Sequence, residues 1–166
     1  MKQKGFTLLE LLVVLAITAV LITGTIVSLQ QVVWGSFRSK NQVTALTDVD
    51  QAALAIKRDL TMTQITSLTD GDPVPQSSVT LSWADYASTF APPGSNIHTS
   101  IYALSGTNLL RTYDDTTSIV GRHITFIGFT QNGEAINFTI TATSSGIEQR
   151  SETLQFTGYL RTEPLE

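Results

Sequence analysis

The chain has no cysteine. No disulfide can staple it, and no thiolate can serve as a nucleophile or as a zinc ligand. Proline is absent before Pro73, so nothing in the first 72 residues forbids a long helix. Charge is absent from Leu11 through Phe37. A soluble domain rarely carries 27 uncharged residues in a row, and as a helix that run extends roughly 40 Å, enough to cross a hydrocarbon core of about 30 Å. Basic residues are few. Ten Lys and Arg against fourteen Asp and Glu give a net charge of −4 over 166 residues, and no cluster of cations stands ready to replace the counterions of a nucleic acid. Histidine occurs twice, at His98 and His123, and no phosphate-binding, zinc-protease or nucleophile-elbow motif is present.

What is present begins with a short basic leader, Met1 to Lys4, followed by Gly5, Phe6 and an apolar run broken by one acid, Glu10. A carboxylate beside a spanning helix is costly, about 2.5–3.5 kcal/mol near the bilayer centre and less toward the edge. The N-terminal end of a helix dipole offsets part of that cost. Two fates are open to Glu10: it snorkels to the headgroups, or it finds a cation on another molecule. The run is too long for the core of a cleaved secretory signal, and its small-residue stretch at Ala16–Ala19 comes too early for a cleavage site. Lys2 and Lys4 on one side and Arg38 and Lys40 on the other leave the positive-inside count nearly even.

Lys4-Gly5-Phe6-Thr7-Leu8-Leu9-Glu10 resembles the processing site of type IV prepilins and of the pseudopilins of type II secretion. The resemblance implies that a prepilin peptidase/N-methyltransferase cuts between Gly5 and Phe6 and methylates Phe6. It also implies that the leader is cytoplasmic, with the rest anchored in the inner membrane and its C-terminal domain outside the cytoplasm. Removal of Lys2 and Lys4 then takes two of the ten cations, leaving a mature charge of −6. The free amine of Phe6 in one subunit would meet Glu10 of another, setting register as subunits leave the bilayer for a filament. Major pilins often carry a proline in this half of the helix and some close their C-terminal region with a disulfide; this chain does neither. Gly24, between Thr23 and Thr25, reads either as a close-packing position or as a point where the helix loosens.

The expected fold class is α+β, a long N-terminal helix packed on a C-terminal antiparallel β-sheet, as in the pilin fold. The expected divisions are a leader at 1–5, a hydrophobic helix at 6–37, the amphipathic half of the same helix at 38–62, and an extracytoplasmic β-rich domain at 63–166. In the amphipathic half Val43, Leu46, Val49, Ala53, Ile56 and Leu60 recur at steps of three and four, with Asp48, Asp50, Lys57 and Asp59 placed elsewhere. Residues 63–78 read as a connector with turn chemistry at Asp70-Gly71-Asp72-Pro73. Two aspartates fall far short of the six to eight oxygens that calcium takes.

Alternation at Val79, Leu81 and Trp83 predicts a strand with one buried face. A loop follows at 87–95, and His98 reads as lying in a Pro/Gly/Ser/Asn-rich loop. Hairpins are predicted around Ser105–Asn108 and around Gln131–Glu134, with Asp114–Thr117 capping the far end of the first and a last strand from Glu152 to Leu160, giving five or six strands. Leu109-Leu110-Arg111 and Leu160-Arg161, in that order of strands, resemble the J-type minor pseudopilins; the presence of Glu10 separates the chain from the K-type tip subunit, which lacks that acid. The histidines and Asp114-Asp115 read as structural or solvated, and Trp34 as an interface residue. No enzyme activity, cofactor or metal is expected. Expected partners are the peptidase, other pilin or pseudopilin subunits, the inner-membrane assembly platform and, before assembly, lipid. The leading function is a structural subunit of a filament serving secretion, pilus initiation or DNA uptake. A pilin-like adhesin and a membrane-anchored enzyme are the alternatives.

Overall fold

The computed structural model describes residues 7–84, 97–146 and 148–161 of the chain. Two compact units are present, Met1–Lys40 and Asn41–Glu166. Helix α1, Leu8–Leu60, supplies residues to both.

In the first unit every described residue is exposed. Its apolar side chains, such as Leu12, Ile17, Leu21 and Phe37, stand outward with nothing of the unit covering them. An 18-residue window here reaches a mean hydropathy of 2.5, and α1 is long and apolar enough to cross a membrane. Four hydroxyls in this stretch are turned back on the helix itself. Thr18 donates to the Val14 carbonyl at 2.7 Å, Thr23 to Ala19 at 2.8 Å, Thr25 to Leu21 at 2.8 Å and Ser28 to Gly24 at 2.9 Å. Polar side chains satisfied in this way present no orphan donor to a hydrocarbon environment.

In the second unit the remaining part of α1 buries Ala45, Val49, Ala52, Ala53, Ile56 and Leu60. Val49, Ala53, Ile56 and Leu60 are the expected stripe. Val43 and Leu46 are not part of it, being 59% and 40% exposed. Their places are taken by Ala45 and Ala52, whose short side chains let a sheet approach the helix axis. Asp59, expected on the wet side, is buried. After Leu60 the helix closes on the Thr63 hydroxyl, which donates to the Asp59 carbonyl at 2.8 Å.

Among the described residues eight strands follow: β1 (Ile65–Thr66), β2 (Ser78–Ala84), β3 (Ile97–Ser105), β4 (Asn108–Tyr113), β5 (Thr116–Gly121), β6 (Ile124–Asn132), β7 (Ala135–Thr143) and β8 (Ser151–Tyr159). The six pairings between these strands are antiparallel. The expected helix-on-antiparallel-sheet architecture is therefore the observed one, with the β-structure divided into a five-stranded sheet, β1-β2-β3-β4-β5, and a three-stranded sheet, β6-β7-β8. Both hairpins turn where expected, at Gly106-Thr107 and Gly133-Glu134, and both glycines have positive φ. The Asp114-Asp115 segment is a third tight turn rather than an end. Both aspartates take positive φ, 41° and 69°, and lead into β5.

The connector does more than join. Gln76 exchanges two backbone hydrogen bonds with Phe129 of β6, each 2.9 Å, so the chain entering β2 is also stitched to the second sheet. Asp70 Oδ1 accepts from the Gly133 amide at 2.6 Å and Asp72 Oδ1 from the Val74 amide at 2.9 Å, which commits both carboxylates to backbone donors. One core unites Ile56 and Val49 of the helix with Val79, Leu81 and Tyr102 of the first sheet and with Ile127, Phe129, Phe138 and Ile140 of the second. The predicted inward face of β2, with Trp83 5% exposed, is observed. The predicted loop at 87–95 lies outside the described residues.

Candidate functional site

Two groups of polar side chains stand apart from ordinary surface and core. The first is at the start of α1. Thr7 precedes the helix, and its hydroxyl accepts from the Glu10 amide at 3.3 Å. In return Glu10 Oε2 accepts from the Thr7 amide at 3.0 Å and from the Thr7 hydroxyl at 3.1 Å. This is a reciprocal capping box, which satisfies donors that a helix start leaves unpaired. Sequence reasoning placed Glu10 in the first turn and missed Thr7 as its partner, although Thr-x-x-Glu ahead of an apolar run is a readable signal. Glu10 Oε1 accepts no hydrogen bond among the described residues. The other two expected site residues, Gly5 and Phe6, lie outside the described residues.

The second group is in the domain. Asp59 and Arg111 form a bidentate pair: Nε donates to Oδ2 at 2.7 Å and Nη2 to Oδ1 at 2.9 Å. Ser100 Oγ and Tyr102 OH also donate to Oδ2, at 2.6 and 2.7 Å. Burial, together with the neighbouring Asp59 carboxylate, pushes the Tyr102 hydroxyl far above the usual phenol range, so it remains a donor. The hydrogen bond to Asp59 likewise raises Arg111. The Arg111 guanidinium lies 4.8 Å from the Tyr113 ring centroid. Tyr113 stacks with Trp83 at 5.9 Å and with His98 at 5.7 Å.

His98 is not in a loop. It is the second residue of β3, opposite Trp83, and its Nδ1 meets Asp114 Oδ2 and, at 3.2 Å, the Tyr113 hydroxyl. Asp114 accepts from the Thr99 amide at 2.9 Å; that bond first, and the His98 contact second, hold its carboxyl below the usual range. His123 precedes β6 with φ of 53° and binds Asp48 of the helix at 2.8 Å. Both histidines thus pin elements together. Among the described residues no three metal-ligating side chains converge. Ser145 Oγ stands 3.5 Å from His123 Nε2, on the side of the ring away from Asp48.

The decisive comparison is with residues 1–26. They match the prokaryotic N-terminal methylation motif. The chain thus carries a prepilin-type N-terminus, which supports a type IV pilin-like protein and a substrate of prepilin peptidase. With the apolar helix it supports a single-pass membrane anchor, and it points to a structural subunit rather than an enzyme. No curated protein matches the chain.

Proposed function

We propose that the protein is a minor pilin or minor pseudopilin, most like the J type of type II secretion. In this reading it is cut between Gly5 and Phe6, methylated on Phe6 and assembled through its N-terminal helix into a short filament. The working divisions are the leader 1–5, the filament-core helix 6–37, the spine 38–62 and the extracytoplasmic domain 63–166. Its partners are the prepilin peptidase/N-methyltransferase, sibling subunits and the inner-membrane assembly platform.

The match of residues 1–26 to the methylation motif carries this reading. The geometry of Glu10 is consistent with it. Cleavage ahead of Phe6 leaves the Thr7 amide intact, so the capping box survives processing. A carboxylate has about four lone-pair sites, and Oε1 accepts nothing among the described residues, leaving room for the amine of a neighbouring Phe6. At about 4 Å and an effective dielectric of about 20, such a pair gains about 4 kcal/mol before desolvation is subtracted.

The test is incorporation. Glu10→Ala and the parent are co-expressed with the other subunits, and sheared filaments are blotted for each. Processing of Glu10→Ala with loss of the subunit from filaments is the expected result. Incorporation equal to the parent removes the assembly role.

A further inference from the structure

A half-open crevice of about 500 Å³ lies beside the Asp59 network, between the end of α1 and the inner face of the first sheet. Arg58 and Met62 line it from the helix side; Trp83, His98, Arg111 and Tyr113 line it from β2, β3 and β4. Its size is within the range of small-ligand sites, about 300–1,000 Å³.

The hydrogen-bonding inventory of this lining is lopsided. The acid on its wall, Asp59, is 1% exposed, and both its oxygens are taken by Arg111, Ser100 and Tyr102. The donors are not spent. Arg111 uses Nε and Nη2 on Asp59, while its Nη1 makes no hydrogen bond among the described residues. Arg58 is exposed in the last turn of the helix, and its guanidinium has no hydrogen-bond partner among the described residues. The lining carries two guanidiniums, Arg58 and Arg111, against the one carboxylate of Asp59, and the Asp114 carboxylate adjoins it on the His98 ring. Arg111 is pinned in plane by Asp59 on one edge and the Tyr113 ring on its face. A fixed guanidinium loses little freedom on binding an oxyanion.

We infer that this crevice is a binding site for a monocarboxylate carried on an apolar body, with Arg58 and Arg111 taking the carboxylate and Met62 and the Trp83 edge taking the body. A carboxylate matches the planar guanidinium fork. A dianion such as phosphate would bring a second negative charge toward Asp59. The same chemistry is offered by a peptide C-terminus and by a free aromatic acid. The inference does not depend on the filament reading.

The test uses the full chain in a non-ionic detergent, carrying Trp34→Phe so that Trp83 is the single tryptophan. N-acetylphenylalanine, its amide, inorganic phosphate and an acetylated Gly-Ser-Gly-Phe peptide with a free carboxylate are each titrated, following Trp83 fluorescence and heat. The acid is expected to saturate the signal, with the amide about tenfold or more weaker. Arg58→Ala should weaken the acid to a similar degree with unchanged melting, and Arg58→Lys should recover part of the loss. Peptide binding at least equal to that of the acid assigns the source to a protein terminus. Binding of the acid alone assigns it to a free small molecule. Equal binding of acid and amide, phosphate binding as well as the acid, absence of any saturable signal, or indifference to Arg58→Ala each overturns the inference.

Discussion

Asp59 sits in the last turn of α1, where the helix dipole opposes a negative charge, and it is 1% exposed. Only a full set of donors makes that position tenable. Removing one side of a buried pair strands the other, at about 3–5 kcal/mol. Asp59→Ala is therefore expected to destabilise the domain by that amount in denaturant unfolding. The double change Asp59→Leu with Arg111→Met, which strands no charge, should cost less than Asp59→Ala. Asp114 tests the electrostatics with pH. Its folded-state carboxyl is held below the ordinary value of about 3.9. The stabilisation it supplies is then complete above that pH and is lost as pH falls through the lowered folded value. Asp114→Asn should melt below the parent at pH 6, and the gap should narrow progressively as pH falls through and below the ordinary aspartate range. A gap that stays constant with pH would show that the carboxylate contributes no charge-dependent stability. None of these long-range pairs was legible in the sequence. Asp59 and Arg111 are 52 positions apart, and helical spacing alone places Asp59 on the wet side.

Helix α1 was legible as an element because nothing interrupts it, and β2, β3, β4, β6, β7 and β8 because their periods and turns are local. What escaped was set by partners. Ala45 and Ala52 face the sheet because they are small, not because they are the most apolar residues available. Ala52 meets Gly121, where a Cβ would fall 3.0 Å from the Ala52 Cβ and 3.2 Å from Ile124 Cγ1. Gly121→Val is thus expected to push helix and sheet apart and to lower stability by about 1–3 kcal/mol, read in the same unfolding assay. Strand β5 escaped because Thr116 to Ile119 are exposed and show no alternation of burial. Its entry also relies on two aspartates at positive φ rather than on a glycine. At the other end of the helix, Thr7→Val removes the side-chain half of the capping box. The first turn should then fray, with faster amide exchange at Glu10 and a loss of about 1 kcal/mol in local stability. Unchanged exchange there would mean that tertiary or lipid contacts, rather than the cap, hold the turn.

At the scale of the whole molecule, a chain of net charge −4 combines an exposed, uncharged helical segment with a domain whose core is already complete. The domain does not need the residues before Asn41 for its core, since every buried hydrophobic residue of the cluster lies at Ala45 or beyond. The apolar half of α1 is thus left to lipid or to sibling helices, which is the division of labour that an assembling subunit requires. Its switch from one to the other is proposed to depend on the new amine at Phe6. The central claim is therefore tested most directly by the intact mass of the protein purified from its native membrane. The account predicts a chain that has lost Met1 to Gly5 and carries one methyl group on Phe6. A full-length, unmethylated chain as the sole species in those membranes would contradict it.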